Sequence, residues 1–262
     1  MTDELELRSA RLLGLAEYTA LFNAAYEGYL IPFHLDENTT AAMIETFDLD
    51  ADASRIAFRD GGAVGLGNLG VRGDDAWIGG VGVVTAARRT GVGEALMRAL
   101  HEQGRERGIR RIWLEVIVEN TGAFALYEKL GYRSLRDVEV WSLSAAEDDE
   151  PTAREVPAAE AHEKVRERRT EREPWQRADA SLAHYDDARG LVTDEGAAVY
   201  RQLGENVQLL QIAGDAEPLL RRLRSLGPVS ILNLPDDDPA ATAFRSLGAT
   251  VVVRQHEMLL EL

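Results

Sequence analysis

VGVVTAARRTGVGEALMRAL, residues 81–100, reads as an apolar strand, a short turn, and Arg88-x-x-Gly91-x-Gly93 opening a helix. The first amides of a helix have no internal partners, and the helix dipole is positive at that end. Glycines let a ligand's phosphates come close to those amides, so the arrangement suits a pyrophosphate. Arg88 and Arg89 add charge that can be placed on phosphates. Other nucleotide motifs fit less well. Gly65-Leu66-Gly67-Asn68-Leu69-Gly70 spells a dinucleotide fingerprint, but VRGDDAWIGG follows it and reads as hairpin and strand where a helix is required. The loop at 91–93 has Leu at position 96 in place of a third glycine, and lacks the Lys-Ser/Thr ending of a triphosphate loop.

Working outward, ELELRSA (4–10) alternates as a half-buried first strand does, and Leu12–Tyr26 carries apolar residues at helical spacing. Asn38–Phe47 reads as a second helix after Pro32. Strands near 54–59, 62–71 and 75–84 are parted by Asp60-Gly61-Gly62 and Gly73-Asp74-Asp75, which are hairpin-type turns. Beyond the loop come a helix at about 92–107, the strand IRRIWLEVIV (109–118), a helix at 121–130 stopped by Gly131, and two short strands to Leu143. The reading is an α/β domain with a mixed sheet.

The chain has 262 residues, 45% apolar and 28% charged, which is a folded composition with room for two small domains. No run approaches the ~20 apolar residues of a membrane helix. The acidic start MTDELELRSA lacks the order of a signal peptide, so a cytoplasmic setting is expected. Zero cysteines exclude disulfides, thiolate metal sites and cysteine nucleophiles. The net charge of −16, with Lys129 and Lys164 the only lysines, disfavours nucleic-acid binding and attracts cationic amines modestly; its main service is solubility. His101, His162, His184 and His256 are scattered, and no spacing suggests a metal.

Residues 146–173 are charged and almost free of large apolar side chains, as a linker around a solvated helix would be. From 174 to 262 a second region runs through a helix (174–184), strands, a helix (216–226), a strand (229–234), a helix (238–247) and closing strands. A shift of 117 lays ENTGAFALYEKLG (119–131) on DDDPAATAFRSLG (236–248), which favours a degenerate internal duplication. Domains are therefore expected at 1–145 and 174–262.

Residues 81–132 resemble the GNAT superfamily of acyl-CoA-dependent N-acetyltransferases. The likeness lies in the loop at 88–93 and in Asn120-x-x-Ala123-x-x-Leu126-Tyr127-Glu128-Lys129-Leu130-Gly131-Tyr132, in the same order and at the same separation. It implies a mixed, mostly antiparallel sheet flanked by helices, here as two tandem domains. It also implies acetyl-CoA between splayed strands 75–84 and 110–118. The amides of Arg89, Thr90, Gly91, Val92, Gly93 and Glu94 would hold the pyrophosphate, beside Arg88. Val81, Val83 and Val84 would follow the pantetheine, with the Val83 amide donating to the thioester carbonyl, and Gly79, Gly80 and Gly82 would ease close approach. Thr85 and Ala87 depart from the family's usual proline and bulky residue without altering the loop.

Glu115 lies in an apolar strand, where a carboxylate is costly unless it faces a cleft; a solvent-facing position is the alternative. Tyr127 resembles the family's tyrosine near the CoA sulfur, a general acid, with core packing as the alternative. The Leu-Glu-Val and Leu-Tyr-Glu elements also occur in ribosomal-protein N-terminal acetyltransferases, where such a glutamate is the base. Asn120 is expected to bond the pantetheine, cap its helix, or do both. Tyr26, Tyr29, Phe33 and His34 form an aromatic cluster where this superfamily contacts its acceptor; a lone His34 is more often structural.

In the second half the shift places Phe244 at Tyr127 and Leu232 at Glu115, and Gly214-Asp215 is too short for a pyrophosphate loop. It is expected to be a non-catalytic partner that walls the cleft, dimerises the protein or stabilises the first domain. The resulting expectation is an enzyme acetylating a small-molecule amine with acetyl-CoA and no metal. Protein N-termini or lysines are the alternative acceptors, and a non-catalytic acyl-CoA sensor is the alternative class.

Overall fold

Left-handed residues set the first hairpins. Asp60 and Gly61 take φ of 50° and 78°, and Gly73 takes 60°. These turns join β2 (Arg55–Arg59), β3 (Gly62–Arg72) and β4 (Asp75–Val83), each antiparallel to the next. β1 (Glu6–Ser9) adds antiparallel to β2, and β5 (Arg111–Ile117) adds parallel to β4. The glycine-rich run Gly65–Gly70 is thus the middle of a strand, as its lack of a following helix predicts.

The computed structural model describes residues 5–31, 34–147 and 152–262. The chain forms two units: Met1–Leu135 with Glu257–Leu262, and Arg136–His256. In the first unit, α1 (Leu15–Ala25) and α2 (Glu37–Thr46) lie on one face of the sheet; α3 (Val92–Glu106) and α4 (Thr121–Lys129) lie on the other. Strand alternation divides the core accordingly. Leu66 packs with Tyr18, Leu21 and Phe22 of α1, whereas Leu69 packs with Met97 and Leu100 of α3. Met258 belongs to the latter cluster, and Leu262 N–H donates to Arg110 O at 2.9 Å.

The parallel pair β4–β5 is short. It runs only through Asp75↔Arg111, Ala76↔Ile112 and Trp77↔Trp113. Immediately beyond, the β3–β4 register slips between Asn68 and Leu69, which oppose Gly80 and Ile78. The extra residue, Gly79, bends β4 away, as a bulge does, and the two parallel strands part.

The second unit repeats this order. β7 (Arg154–Pro157), β8 (Arg189–Val192), β9 (Gly196–Leu203) and β10 (Asn206–Gly214) are successive antiparallel neighbours, and β11 (Val229–Pro235) is parallel to β10. β6 (Arg133–Leu143) pairs antiparallel with β11. α5 (Ala158–Arg168), α7 (Glu217–Leu226) and α8 (Pro239–Ser246) pack on the sheet.

Several sequence expectations need correction. The helix expected within 146–173 is α5, but it is packed, not solvated, because Ala161 and Val165, four apart on one helix face, bury fully against Val192, Ala197, Val199 and Leu210, and the stretch also contains β7. The helix at 174–184 is a 3-10 turn, Trp175–Arg177, and a short α6 (Asp179–Leu182), parted at the extended Ala178. The two strands before Leu143 are the single β6, and the closing strands are the single β12 (Thr250–Glu261).

Candidate active site

β4 ends at Val83, and α3 begins at Val92. Between them Arg89 and Gly91 take left-handed φ of 62° and 87°, and Gly91 is the N-cap. Such alternation turns successive amides inward, and a side chain at Gly91 would be strained. The first bond of α3 is Ala95 N–H to Gly91 O at 3.0 Å, so the amides of Val92, Gly93 and Glu94 precede the helical ladder. A Cβ on Gly93 would find its nearest neighbour, Val83 Cγ2, at 3.9 Å, so the space above this turn is open. These features fit a diphosphate. Thr90 Oγ1 donates to Ala87 O at 2.7 Å and accepts from Arg59 Nη1 at 3.1 Å, which steadies the turn.

Arg88 does something other than expected. Its Nε donates to Val83 O at 3.0 Å, and its Nη2 donates to Ala25 O at 3.1 Å and Glu27 O at 2.7 Å. The guanidinium therefore clamps the end of α1 to the end of β4, because unpaired helix-end carbonyls lie within its reach. Arg89 is exposed. Glu94 is a carboxylate in the first turn of α3, bonded to Lys129 Nζ at 2.7 Å and to Arg98. Those two cations hold its carboxyl below the usual range, Lys129 first.

Strand geometry settles where the valine amides point. Val84 N–H donates to Val64 O at 3.0 Å, toward β3. Successive amides of an extended chain alternate, so those of Val83 and Val81 turn to the other edge, where β5 has departed. Val84 is thus corrected from pantetheine ligand to sheet partner.

Past the last strand pair, Glu115 lies on the α1–α2 face with Trp77, whose Nε1 donates to Glu115 Oε2 at 2.8 Å. Tyr127, on α4, packs from the other face against the cluster of Met97, Leu114 and Val116. Burial pushes its hydroxyl well above the ordinary tyrosine range, with Tyr29 adding to the shift. Asn120 makes the expected cap, its Oδ1 accepting from Ala123 N–H at 3.2 Å, and its Nδ2 donates to Tyr29 Oη at 3.3 Å. Tyr26 lies over β4, since a Cβ on Gly80 would be 2.3 Å from its Oη and one on Gly82 would be 2.9 Å from its Cε2. The glycines here admit an aromatic ring. Tyr26 meets Tyr29 edge-on at 5.3 Å, and its hydroxyl is also raised, by burial first and then by Tyr127 and Tyr29.

Residues 17–132 match the Acetyltransferase (GNAT) family. That match spans less than half of the 262-residue chain. The alanine N-acetyltransferase of ribosomal protein bS18 from Escherichia coli K12 is 39% identical over 59 residues, which is 22% of this chain and 40% of that enzyme. A GCN5-related N-acetyltransferase from Sphaerobacter thermophilus shares the fold over 100% of this chain and 96% of its own, with TM-score 0.77 and 15% identity. A tandem GNAT protein from the clavulanic acid biosynthesis pathway does so over 98% of each chain, with TM-score 0.63 and 15% identity.

Contacts and electrostatic coupling thus join Tyr127, Tyr26, Tyr29 and Asn120, while Glu115 bonds Trp77. His34 is exposed, and none of the described hydrogen bonds joins it to the tyrosines. Phe33 lies outside the described residues. Sequence reasoning missed Trp77; the available signal was an indole N–H in a strand bordered by glycines, a donor that must find an acceptor when buried. Among the described residues no group of three or more His, Asp or Glu side chains could hold a metal.

The second unit has the same parting in a different state. β10 and β11 pair through Leu209↔Ile231 and no further. There Arg177, 2% exposed, donates through Nε to Leu210 O at 3.1 Å and through Nη1 to Asn233 O at 3.3 Å. Its Nη2 lies 3.1 Å from Glu173 Oε2. An arginine side chain bridges the two diverging strands where the first unit leaves an open edge. The turn is also missing, since β10 ends at Gly214 and α7 starts at Glu217.

Proposed function

We propose that the first unit is an acetyl-CoA-dependent N-acetyltransferase acting on a primary amine. One observation carries this reading: a strand parting that has free-edge amides and a diphosphate-shaped turn on one side, and the carboxylate of Glu115 at its inner end. Acetyl-CoA would supply an activated acyl group. The turn from Arg89 to Glu94 would hold its diphosphate, and the amides of Val81 and Val83 would align its arm, that of Val83 toward the thioester carbonyl.

An amine of pKa near 10.4 arrives mostly protonated, and only its neutral form attacks. Glu115 takes that proton, directly or through one water. The nitrogen then bonds to the carbonyl carbon, the carbon–sulfur bond breaks, the departing thiolate takes the proton of Tyr127, and the second proton of the attacking nitrogen returns to the tyrosinate through water, leaving the neutral amide. Burial keeps Tyr127 protonated at neutral pH, as an acid in this role must be. Tyr26 and Tyr29 line the acceptor's approach from the α1–α2 side. A small-molecule amine is our first reading of the acceptor. A peptide N-terminus is the second, favoured by the local likeness to the bS18 alanine acetyltransferase. The second unit, with its parting bridged by Arg177, is a non-catalytic partner. We place the reaction in the cytoplasm, where acyl-CoA thioesters are available.

The test is thiol release from acetyl-CoA with a panel of small primary amines and alanine-initiated peptides. Turnover with any member supports the enzyme and names the acceptor class. Tight acetyl-CoA binding without turnover across the panel points to a sensor, and absence of binding removes the reading.

A further inference from the structure

The reading of Glu115 as base leaves open how a carboxylate is kept ionised and aimed inside an apolar strand. We infer that Trp77 is a positioning residue for Glu115, and that Gly79 exists in this chain to seat the indole. This inference rests on the proposed function and adds two residues to it.

Trp77 is 6% exposed. Its indole has one polar atom, a donor, and no capacity to accept. That donor reaches Glu115 Oε2 at 2.8 Å, the distance of a charge-assisted bond. Such a bond favours the ionised carboxylate and fixes the plane of the carboxyl group. The ring is itself immobilised. Phe47 meets it edge-on with centroids 5.5 Å apart. A Cβ on Gly79 would fall 2.6 Å from Trp77 Cζ3 and 3.2 Å from Leu49 Cδ2, so the ring folds over a position that only glycine leaves empty. The same Gly79 is the bulged residue that turns β4 off β5. One glycine therefore opens the strand parting and seats the side chain that aims the base within it. Trp113, also buried on this face, directs its own Nε1 to Asp75 Oδ1 at 3.2 Å and supplies a matched comparison.

The experiment has two arms. In the kinetic arm, Trp77→Phe keeps a ring and removes the N–H. We expect kcat to fall at least tenfold with the KM for acetyl-CoA within twofold, and Gly79→Ala to lower kcat likewise by displacing the indole while also raising that KM, because the bulge it alters opens the parting. In a Glu115→Gln background, Trp77→Phe should have no further effect, because two residues acting through one bond are not additive. Trp113→Phe should keep kcat while losing comparable thermal stability. Multiplicative losses in the double variant, or an equal kcat loss in Trp113→Phe, would show that Trp77 only packs.

The second arm needs no acceptor. The chain has four tryptophans, so its 15N-indole spectrum is small enough to assign by deletion. The peak removed by Trp77→Phe should move upfield in Glu115→Gln and in Gly79→Ala; a stationary peak overturns the inference. If the amine panel gives no turnover but this peak moves, the proposed function fails while the Trp77–Glu115 bond stands.

Discussion

Asn233 stands in β11 where Glu115 stands in β5: each lies two residues past the last pairing of a parallel strand pair, Ile231 in one unit and Trp113 in the other. The residue-by-residue shift of 117 puts Leu232 opposite Glu115, but Leu232 is 39% exposed, and the register names its neighbour instead. Asn233 has an amide that cannot take a proton from an ammonium group, and its Oδ1 already accepts from Gln255 at 2.6 Å. At this position the second unit offers no base. Chemistry should therefore respond to the first unit alone: Glu115→Gln and Tyr127→Phe should each lower kcat by about 10²–10⁴-fold, with acetyl-CoA affinity within twofold. Wild-type rates in both would remove the catalytic assignment.

Acetyl-CoA should bind once per chain. Calorimetric titration should give a stoichiometry of one, abolished by Gly91→Glu/Gly93→Glu, which places two carboxylates over the amides of α3. A residual site in that variant would mean that the second unit binds the thioester despite Arg177.

Arg177 should be costly to truncate. Arg177→Ala leaves Glu173 buried without its cation, and breaking such a pair costs about 3–5 kcal/mol. Burial already raises the Glu173 carboxyl above its usual range, against the pull of Arg177. Arg177→Met with Glu173→Leu removes both charges and should recover most of that loss in urea unfolding. An equal loss in both variants would refute the pairing argument.

Acid should weaken the first unit through His101. The ring is 4% exposed, shares a 3.0 Å hydrogen bond with Tyr132 Oη, and has its pKa lowered to about 4 by burial, then by Arg105 and Arg98. An unfolded histidine titrates near 6.5, so between these values the unfolded chain holds the extra proton. Stability should be fully present above about pH 6.5 and fall toward pH 4, by at most about 1.4 kcal/mol per pH unit. His101→Gln should flatten this segment in urea midpoints measured at pH 5 and 7.

The order of elements in the first unit and the turn at 88–94 were legible because they depend on local patterns: period-2 and period-3.6 hydrophobicity, and glycine at a helix start. Tyr127, Glu115 and Asn120 were legible as candidates from their motifs. The partner of Arg88 was not, since three carbonyls 5 to 63 residues away decide it. Nor was α5 as packed structure, because Ala161 and Val165 are too small to mark a buried face amid so many charges. The helix expected at 174–184 failed for a tertiary reason: the break at Ala178 accompanies the entry of Arg177 between two strands that begin 29 residues or more further on.

The first unit is not contiguous in the chain. It consists of Met1–Leu135 together with Glu257–Leu262, and the residues from Arg136 onward in β6 belong to the other unit. A gene cut after residue 145 would yield a polypeptide with an orphaned strand at its end and without Met258 in its core. Domain dissection, the usual way of asking what a second unit contributes, would here damage the first unit itself. The second unit is therefore better probed by point substitution than by deletion.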